Sequence, residues 1–248
     1  MQSLSAKVAG QFAARGEGEV CAVFKRSFYL RMEGHRYACV GDASIGRGPL
    51  NAIVDNFAAP ALGESVSLCA DSTWQPAPLS SSIVPDLTAL RGAAQASAPR
   101  EGLGCLVAGS HNALSAHAQP ALEALARWLD GHALEPQVEE LVGLGPGLTP
   151  AGDDYLGGVL IALRALGRGA QAAALWRHLE ARLAGRTNAI SAAHLAAAAA
   201  GEGHEALHGC LEEAFRPAPS WGAPLGALGA VGHGSGWNAL AGVTAVLN

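Results

Sequence analysis

Two adjacent carboxylates, Asp153 and Asp154, stand inside LVGLGPGLTPAGDDYLGGVLIAL, residues 141–163. Carboxylates so placed can move protons, hold a cation or orient a ligand that carries N–H groups. The glycines ahead of them, from Gly143 through Gly145 to Gly147, can turn backbone N–H groups toward an anion at a helix N-terminus. Thr149-Pro150 reads as the start of that helix, with Thr149 as N-cap and Pro150 in the first helical position. At about 100° per residue, Leu156, Val159, Leu160 and Leu163 share one face, while Asp154, Gly158, Ile161 and Ala165 share the opposite one. That second face is also apolar and mostly small. Asp154 therefore projects from a surface that has to be buried, and needs a partner, a metal or a ligand. Asp153 lies nearer the edge with Arg164, where it reads equally well as an exposed complement to the helix dipole.

The end of the chain repeats this stretch. AGDDYLGGVLIAL (151–163) aligns without gaps on SGWNALAGVTAVL (235–247), placing Gly152 on Gly236, Asp154 on Asn238, Leu156 on Leu240 and Gly158 on Gly242. Glycine inside a helix costs up to about 1 kcal/mol relative to alanine, so the repeated glycines imply two helices packed closely through them. Asp154 and Asn238 would then lie near the two entrances. Ser235 lacks the surroundings of a nucleophile elbow and is expected to act as an N-cap or ligand contact, with His233 in the loop before it. Arg186-Thr187-Asn188, followed by Ser191, opens another helix. An arginine there can grip phosphate or carboxylate, or simply sit on the surface beside an ordinary cap. Arg47, between Gly46 and Gly48, has the same ambiguity.

His204-Glu205-Ala206-Leu207-His208 matches the H-E-x-x-H pattern of zinc hydrolases. No third ligand follows at the usual distance, and the segment reads as an exposed helix with an apolar stripe of Leu207, Leu211 and Phe215. The five cysteines, Cys21, Cys39, Cys69, Cys105 and Cys210, are scattered without a C-x-x-C pair and read as small core fillers in a reducing compartment.

The elements that must position these residues fall into two halves of different period. Up to residue 117 the chain reads as β-rich. VCAVFKRSFYLRMEGHRYACVGD is a hairpin broken at Glu33-Gly34, LNAIVDNF and SVSLCA are short strands, and GCLVAGS is one more. A helix is expected over 86–96. From residue 118 to 248 the period is helical and the segments are rich in alanine. QPALEALARWLDG has Pro120 near its first turn and Gly131 just past its end, and EPQVEELVG is a short helix. The expected class is α+β, with an antiparallel sheet or barrel in 1–117 and Ala-rich helices in 118–248.

Charge and composition exclude several partners. Half the residues are hydrophobic, 15% are charged and the formal net charge is −5, which speaks for a folded chain and against nucleic acid or an anionic membrane as partner. Lys7 and Lys25 are the only lysines, so neither a P-loop lysine nor Schiff-base chemistry is available in the second half. Gly143 to Gly147 does not make G-x-G-x-x-G and is interrupted by Pro146, against a dinucleotide fold. With no apolar signal segment in the first residues and no run long enough to span a bilayer, a cytoplasmic location is expected.

GLGPGLTPAGDDYLGG, GRTNAIS and GHGSGWNALAG resemble the three signature segments of a bacterial family of largely unknown role, and VFKRSFYLRMEGHRYACVGD and GRGPLNAIV extend the likeness over most of the chain. One branch of that family supplies a subunit of oxamate carbamoyltransferase, in allantoin and purine catabolism. The enzyme interconverts oxalurate plus phosphate with oxamate plus carbamoyl phosphate, and requires other protein subunits. The resemblance implies a small anionic substrate and does not imply that this chain is the catalytic subunit. On this reading Asp154 and Asp153 are the catalytic candidates. Gly145, Gly147, Thr149, Arg186, Thr187, Asn188, Ser191, Ser235 and Asn238 are the candidate substrate-binding residues, with no metal and no cofactor. Asn238 stands where the family pattern has aspartate, which speaks against a bridged divalent metal. The rival readings are a non-catalytic scaffold whose glycine loops bind other subunits, and a zinc hydrolase built on His204, Glu205 and His208.

Overall fold

The computed structural model describes residues 2–10, 15–79 and 85–248. It divides into two compact units, Met1–Ala77 and Pro78–Asn248, so the boundary falls before residue 117. The helix over 87–94 and the segment around Gly104 belong with the helices.

The first unit is an eight-stranded mixed sheet. Its strands are β1 (Gln2–Ala6), β2 (Val8–Gly10), β3 (Arg15–Val23), β4 (Ser27–Met32), β5 (Arg36–Gly41), β6 (Asn51–Ile53), β7 (Ser65–Ala70) and β8 (Thr73–Trp74), in the order β1-β7-β3-β4-β5-β6-β2-β8. Only Lys7 separates β1 from β2, yet the two lie near opposite ends of that order, so the sheet curls round on itself. Alternation along β4 sends Phe28, Leu30 and Met32 inward, where they join Val20, Val40, Val66 and Leu68 in the core. The β4–β5 hairpin turns at Gly34 and His35, both with positive φ, as the break at Glu33-Gly34 requires.

The second unit contains α1 (Leu87–Ala94), α2 (Ala113–Leu129), α3 (Ala151–Ala165), α4 (Gly169–Glu180), α5 (Ala189–Ala199), α6 (Glu205–Ala214), α7 (Gly222–Gly229) and α8 (Ser235–Leu247). The fold class is α+β. Several local readings are corrected. GCLVAGS forms a 3-10 turn over Gly104–Ala108 instead of a strand, because the Leu103 and Gly104 N–H groups donate to the side chain of Asn238. α2 starts seven residues before Pro120, set by Asn112, which makes a reciprocal capping box with Ser115. Pro120 thus sits inside the helix and forfeits one backbone bond. EPQVEELVG contributes only a 3-10 turn at Glu139–Leu141. α7 was not foreseen in the sequence. Of the cysteines, Cys39, Cys105 and Cys210 are buried, Cys21 is half-buried, and Cys69 is exposed and fills no core.

α3 is the centre of this unit. All of it except Asp154, Arg164 and Ala165 is buried, so the helix has no solvent face to distinguish from its core face. Its closest neighbour is α8, and the contact is reciprocal. A Cβ on Gly158 would stand 1.9 Å from the Ala239 carbonyl oxygen, and one on Gly242 would stand 1.9 Å from that of Tyr155. Since Tyr155 aligns on Ala239 in the internal repeat, each glycine accommodates the other helix at equivalent positions. No helix among the described residues is long and apolar enough to cross a membrane.

Candidate functional site

Three helix N-termini meet around residues 143–154. The chain enters α3 through Pro150, which is the N-cap and brings no side-chain hydrogen bond. Thr149, expected to cap, instead places its hydroxyl 2.8 Å from that of Ser235 in the first turn of α8. Ser235 follows its N-cap, Gly234, whose φ of 89° favours glycine. The α5 end is tied in by Asn188, whose Oδ1 caps the helix through the Ile190 and Ser191 N–H groups at 3.0 Å each. The Asn188 Nδ2 donates to the Leu148 carbonyl at 2.8 Å.

Within this convergence the two carboxylates face different ways. Asp153 is 2% exposed, so the reading of it as an exposed edge residue is overturned. Its Oδ1 accepts from the Gly143 N–H at 2.8 Å, and its Oδ2 accepts from the Ser191 hydroxyl at 2.6 Å and from the Thr187 hydroxyl. The edge position on a helical projection is covered here by α5 and the glycine loop. Asp154 faces α8. Its Oδ2 accepts from Asn238 Nδ2 at 3.2 Å, while Asn238 Oδ1 is held by the Leu103 and Gly104 N–H groups at 2.9 and 3.0 Å. Asp154 is only half-buried as a residue, yet its carboxyl is drawn away from water. That desolvation pushes it up to about 8, reinforced by nearby Asp153 and opposed by hydrogen bonds from Asn238, Ser235 and Thr149. At neutral pH the group is mostly a carboxylic acid, able to donate one hydrogen bond and accept others.

The glycine loop is pinned at both ends. The Gly143 N–H is bonded to Asp153, and the Gly152 N–H to the Leu144 carbonyl at 2.9 Å. Gly143, Gly145 and Gly147 all have positive φ, and Gly143 lies so close to the Arg186 carbonyl that a Cβ would stand 1.9 Å from it. The N–H groups of Gly145, Gly147, Leu148 and Thr149 make no backbone hydrogen bond among the described residues. Gly147 is exposed, with open space where a side chain would be. The loop therefore leaves these N–H groups without a backbone partner, on a backbone that cannot easily collapse to satisfy them.

Arg186 is exposed and does not join this cluster. Its Nη1 donates to the Glu139 carbonyl at 2.8 Å, and the Glu139 carboxylate holds His178 at 2.8 Å and Arg182 at 3.0 Å. Thr187, Asn188, Ser191 and Asn238 spend their polar atoms on protein partners, as described. The residues that sequence reasoning missed are Leu103 and Gly104, which orient Asn238 through backbone N–H groups, and nothing in their side chains announces that. The His233 side chain lies outside the described residues.

The H-E-x-x-H segment is half-buried, where an exposed helix had been expected. His204 is the N-cap of α6, its Nδ1 accepting from the Ala206 N–H at 3.1 Å, and His208 Nε2 accepts from the Gly203 N–H at 3.1 Å. Burial, with His204 nearby, holds His208, and likewise His194, down at about 4, which leaves the His208 ring neutral to accept. Among the described residues no group of three or more His, Cys, Asp or Glu is arranged to hold a metal ion.

Residues 141–247 match the family model of oxamate carbamoyltransferase subunit AllH. The match supports the link to that family, and it takes in all three converging helix N-termini. No curated protein and no solved structure gives a significant match.

Proposed function

We propose that this chain is a subunit of an oxamate carbamoyltransferase-like complex, acting in the cytoplasm in purine catabolism, and that it binds a small anionic amide at the mouth of α3. The observation that carries the reading is the desolvated Asp154 carboxyl, held by Asn238 at the entrance to α3 and pushed up to about 8, with a glycine loop before it whose N–H groups make no backbone hydrogen bond among the described residues. A carboxylic acid offers one donor and one acceptor side by side, which complements the C=O and N–H of a terminal carbamoyl group. With Asn238 donating to Oδ2, the acid proton is left to the other oxygen. The free N–H groups of Gly145, Gly147, Leu148 and Thr149 would take the negative end, a carboxylate or a phosphate. Oxalurate and carbamoyl phosphate each carry both ends.

Protonation also removes the like-charge repulsion that an ionised Asp154 would impose on such a ligand. Asp153 is the positioning residue in this scheme, since it holds Gly143, Thr187 and Ser191 in place. The family link supplies the other subunits as partners.

Thermal melting with ligand, on the chain alone and with its partner subunits, tests the reading. Oxalurate or carbamoyl phosphate should raise the melting temperature more than sulfate at equal ionic strength. Asp154→Asn keeps one donor and one acceptor and should retain much of that shift, whereas Asp154→Ala should lose it. If Asp154→Ala is protected as well as the wild type in the assembled complex, the converging loops are an interface and not a ligand site.

A further inference from the structure

Asn238 is 6% exposed, and both polar atoms of its amide are engaged within the helical unit. Its Oδ1 lies in a cradle formed by Gly102, Leu103 and Gly104, the last two of which donate their N–H groups to it. Two glycines make the cradle possible. Gly102 has a φ of 71°, and a Cβ there would stand 2.6 Å from Oδ1, while one on Gly104 would stand 2.6 Å from the Trp237 Cβ. The segment is also pinned from the N-cap of α2, since Asn112 Nδ2 donates to the carbonyls of Arg100 at 2.9 Å and Gly102 at 2.7 Å. An amide held in this way has one tenable direction. Turned over, it would set its NH2 against two N–H donors and its oxygen against the Asp154 carboxyl. Nδ2 therefore meets Asp154 Oδ2 as a donor only. Thr149 and Ser235 also bond this carboxyl, but a hydroxyl donates or accepts as its partner requires, so neither dictates where the acid proton goes.

We propose that Asn238 is a positioning residue that fixes the sense of the Asp154 carboxyl, with the O–H on Oδ1 and the acceptor on Oδ2. A carbamoyl group is then read in one orientation only, its C=O toward Oδ1 and its N–H toward Oδ2. The inference rests on the proposed role of Asp154 as a neutral acid, and it gives the backbone of residues 102–104 a share in the specificity of that site.

NMR titration of the full chain, without ligand, reads this clamp. In the wild type the Asn238 side-chain N–H resonances should move with the same midpoint as the Asp154 carboxyl, and should stop moving in Asp154→Asn. Asn238→Asp keeps an acceptor for the Leu103 and Gly104 N–H groups but replaces the donor to Asp154 with a second carboxyl oxygen. The two carboxyls should then share a proton, and the upper midpoint of the pair should rise by about one unit or more above that of wild-type Asp154. Asp153, the other carboxyl acting on Asp154, is unchanged in each variant. Gly102→Ala should push the amide out of its cradle and uncouple the Asn238 resonances from Asp154. Should that variant fail to fold, Asn238→Asp decides. Asn238 resonances that ignore pH, or an upper midpoint unmoved in Asn238→Asp, while wild-type Asp154 titrates near 8, would overturn the clamp and spare the neutral acid. A wild-type midpoint near the ordinary value of about 4 would remove both.

Discussion

The two flanks of α3 begin from near-identical sequence and end in opposite physics. Toward α5 the helix presents Asp153 and, one turn on, Gly157. Toward α8 it presents Asp154 and Gly158. On the α5 flank the carboxyl is fully engaged by Gly143, Thr187 and Ser191, whereas a Cβ on the glycine would meet only Ala198 and Leu195 at 3.7 and 4.0 Å. On the α8 flank the glycine is indispensable for close approach, and the carboxyl is a desolvated acid with amide and hydroxyl neighbours. A shared i, i+4 pattern thus separates a carboxyl that ties the glycine loop and α5 to the helix from one that is desolvated against α8.

The largest expected effect breaks the α5 flank. Asp153→Ala orphans one buried donor, Ser191, and two part-buried ones, Gly143 and Thr187, and at about 1–3 kcal/mol for a buried donor left unsatisfied the chain should lose about 2–4 kcal/mol in urea unfolding. Gly158→Ala comes next. Its Cβ would meet a backbone carbonyl, so α3 and α8 must part, at about 1–3 kcal/mol. The matched change Gly157→Ala meets ordinary contact distances and should be neutral or stabilising by up to about 1 kcal/mol, through helix propensity. Equal losses from the two glycine variants would erase the distinction between the flanks.

Acid titration sharpens the comparison further. Asp154 is raised, so between about 4 and 8 the folded chain holds a proton that the unfolded chain has released. Its contribution therefore lowers stability as pH rises through that window. Asp154→Asn should remove this slope, leaving a variant that gains on the wild type toward pH 8 and matches it near pH 4. His194 and His208 have the opposite sign. Each stays neutral in the fold down to about 4 but is protonated in the unfolded chain below about 6.5, so stability falls as pH drops between those values. His194→Gln with His208→Gln should flatten that acid limb, read as the melting temperature at pH 5 against pH 7. The smallest effect belongs to Arg186→Ala, which removes one exposed hydrogen bond to a carbonyl and should change stability by about 1 kcal/mol or less.

Much of this arrangement was legible in the chain itself. The internal repeat, with Gly158 on Gly242 and Asp154 on Asn238, foretold the close helix contact, and the hydrogen bond between the Asp154 and Asn238 side chains is what the structure adds. The strands of SVSLCA and the 27–41 hairpin followed from alternation and a glycine turn. What failed did so for tertiary reasons. A helical projection assumes one exposed face, and Asp153 was misplaced because α3 has none. Thr149 and Ser235 looked like caps because their types suit that task, but the helix ends come close enough for the two hydroxyls to bond each other. GCLVAGS has strand composition, yet the N–H groups of Leu103 and Gly104 at its start are claimed by Asn238 from far along the chain. No local pattern encodes that.

The central claim is that Asp154 is a neutral acid at the mouth of α3 while its neighbour is consumed by structure. A ¹³C NMR titration of the aspartate carboxyl carbons tests this most directly, with Asp154 assigned by its absence in Asp154→Asn. The account predicts a midpoint near 8 for that resonance. A midpoint near the ordinary carboxyl value of about 4 would place a charge at the mouth and contradict the pairing with a carbamoyl group.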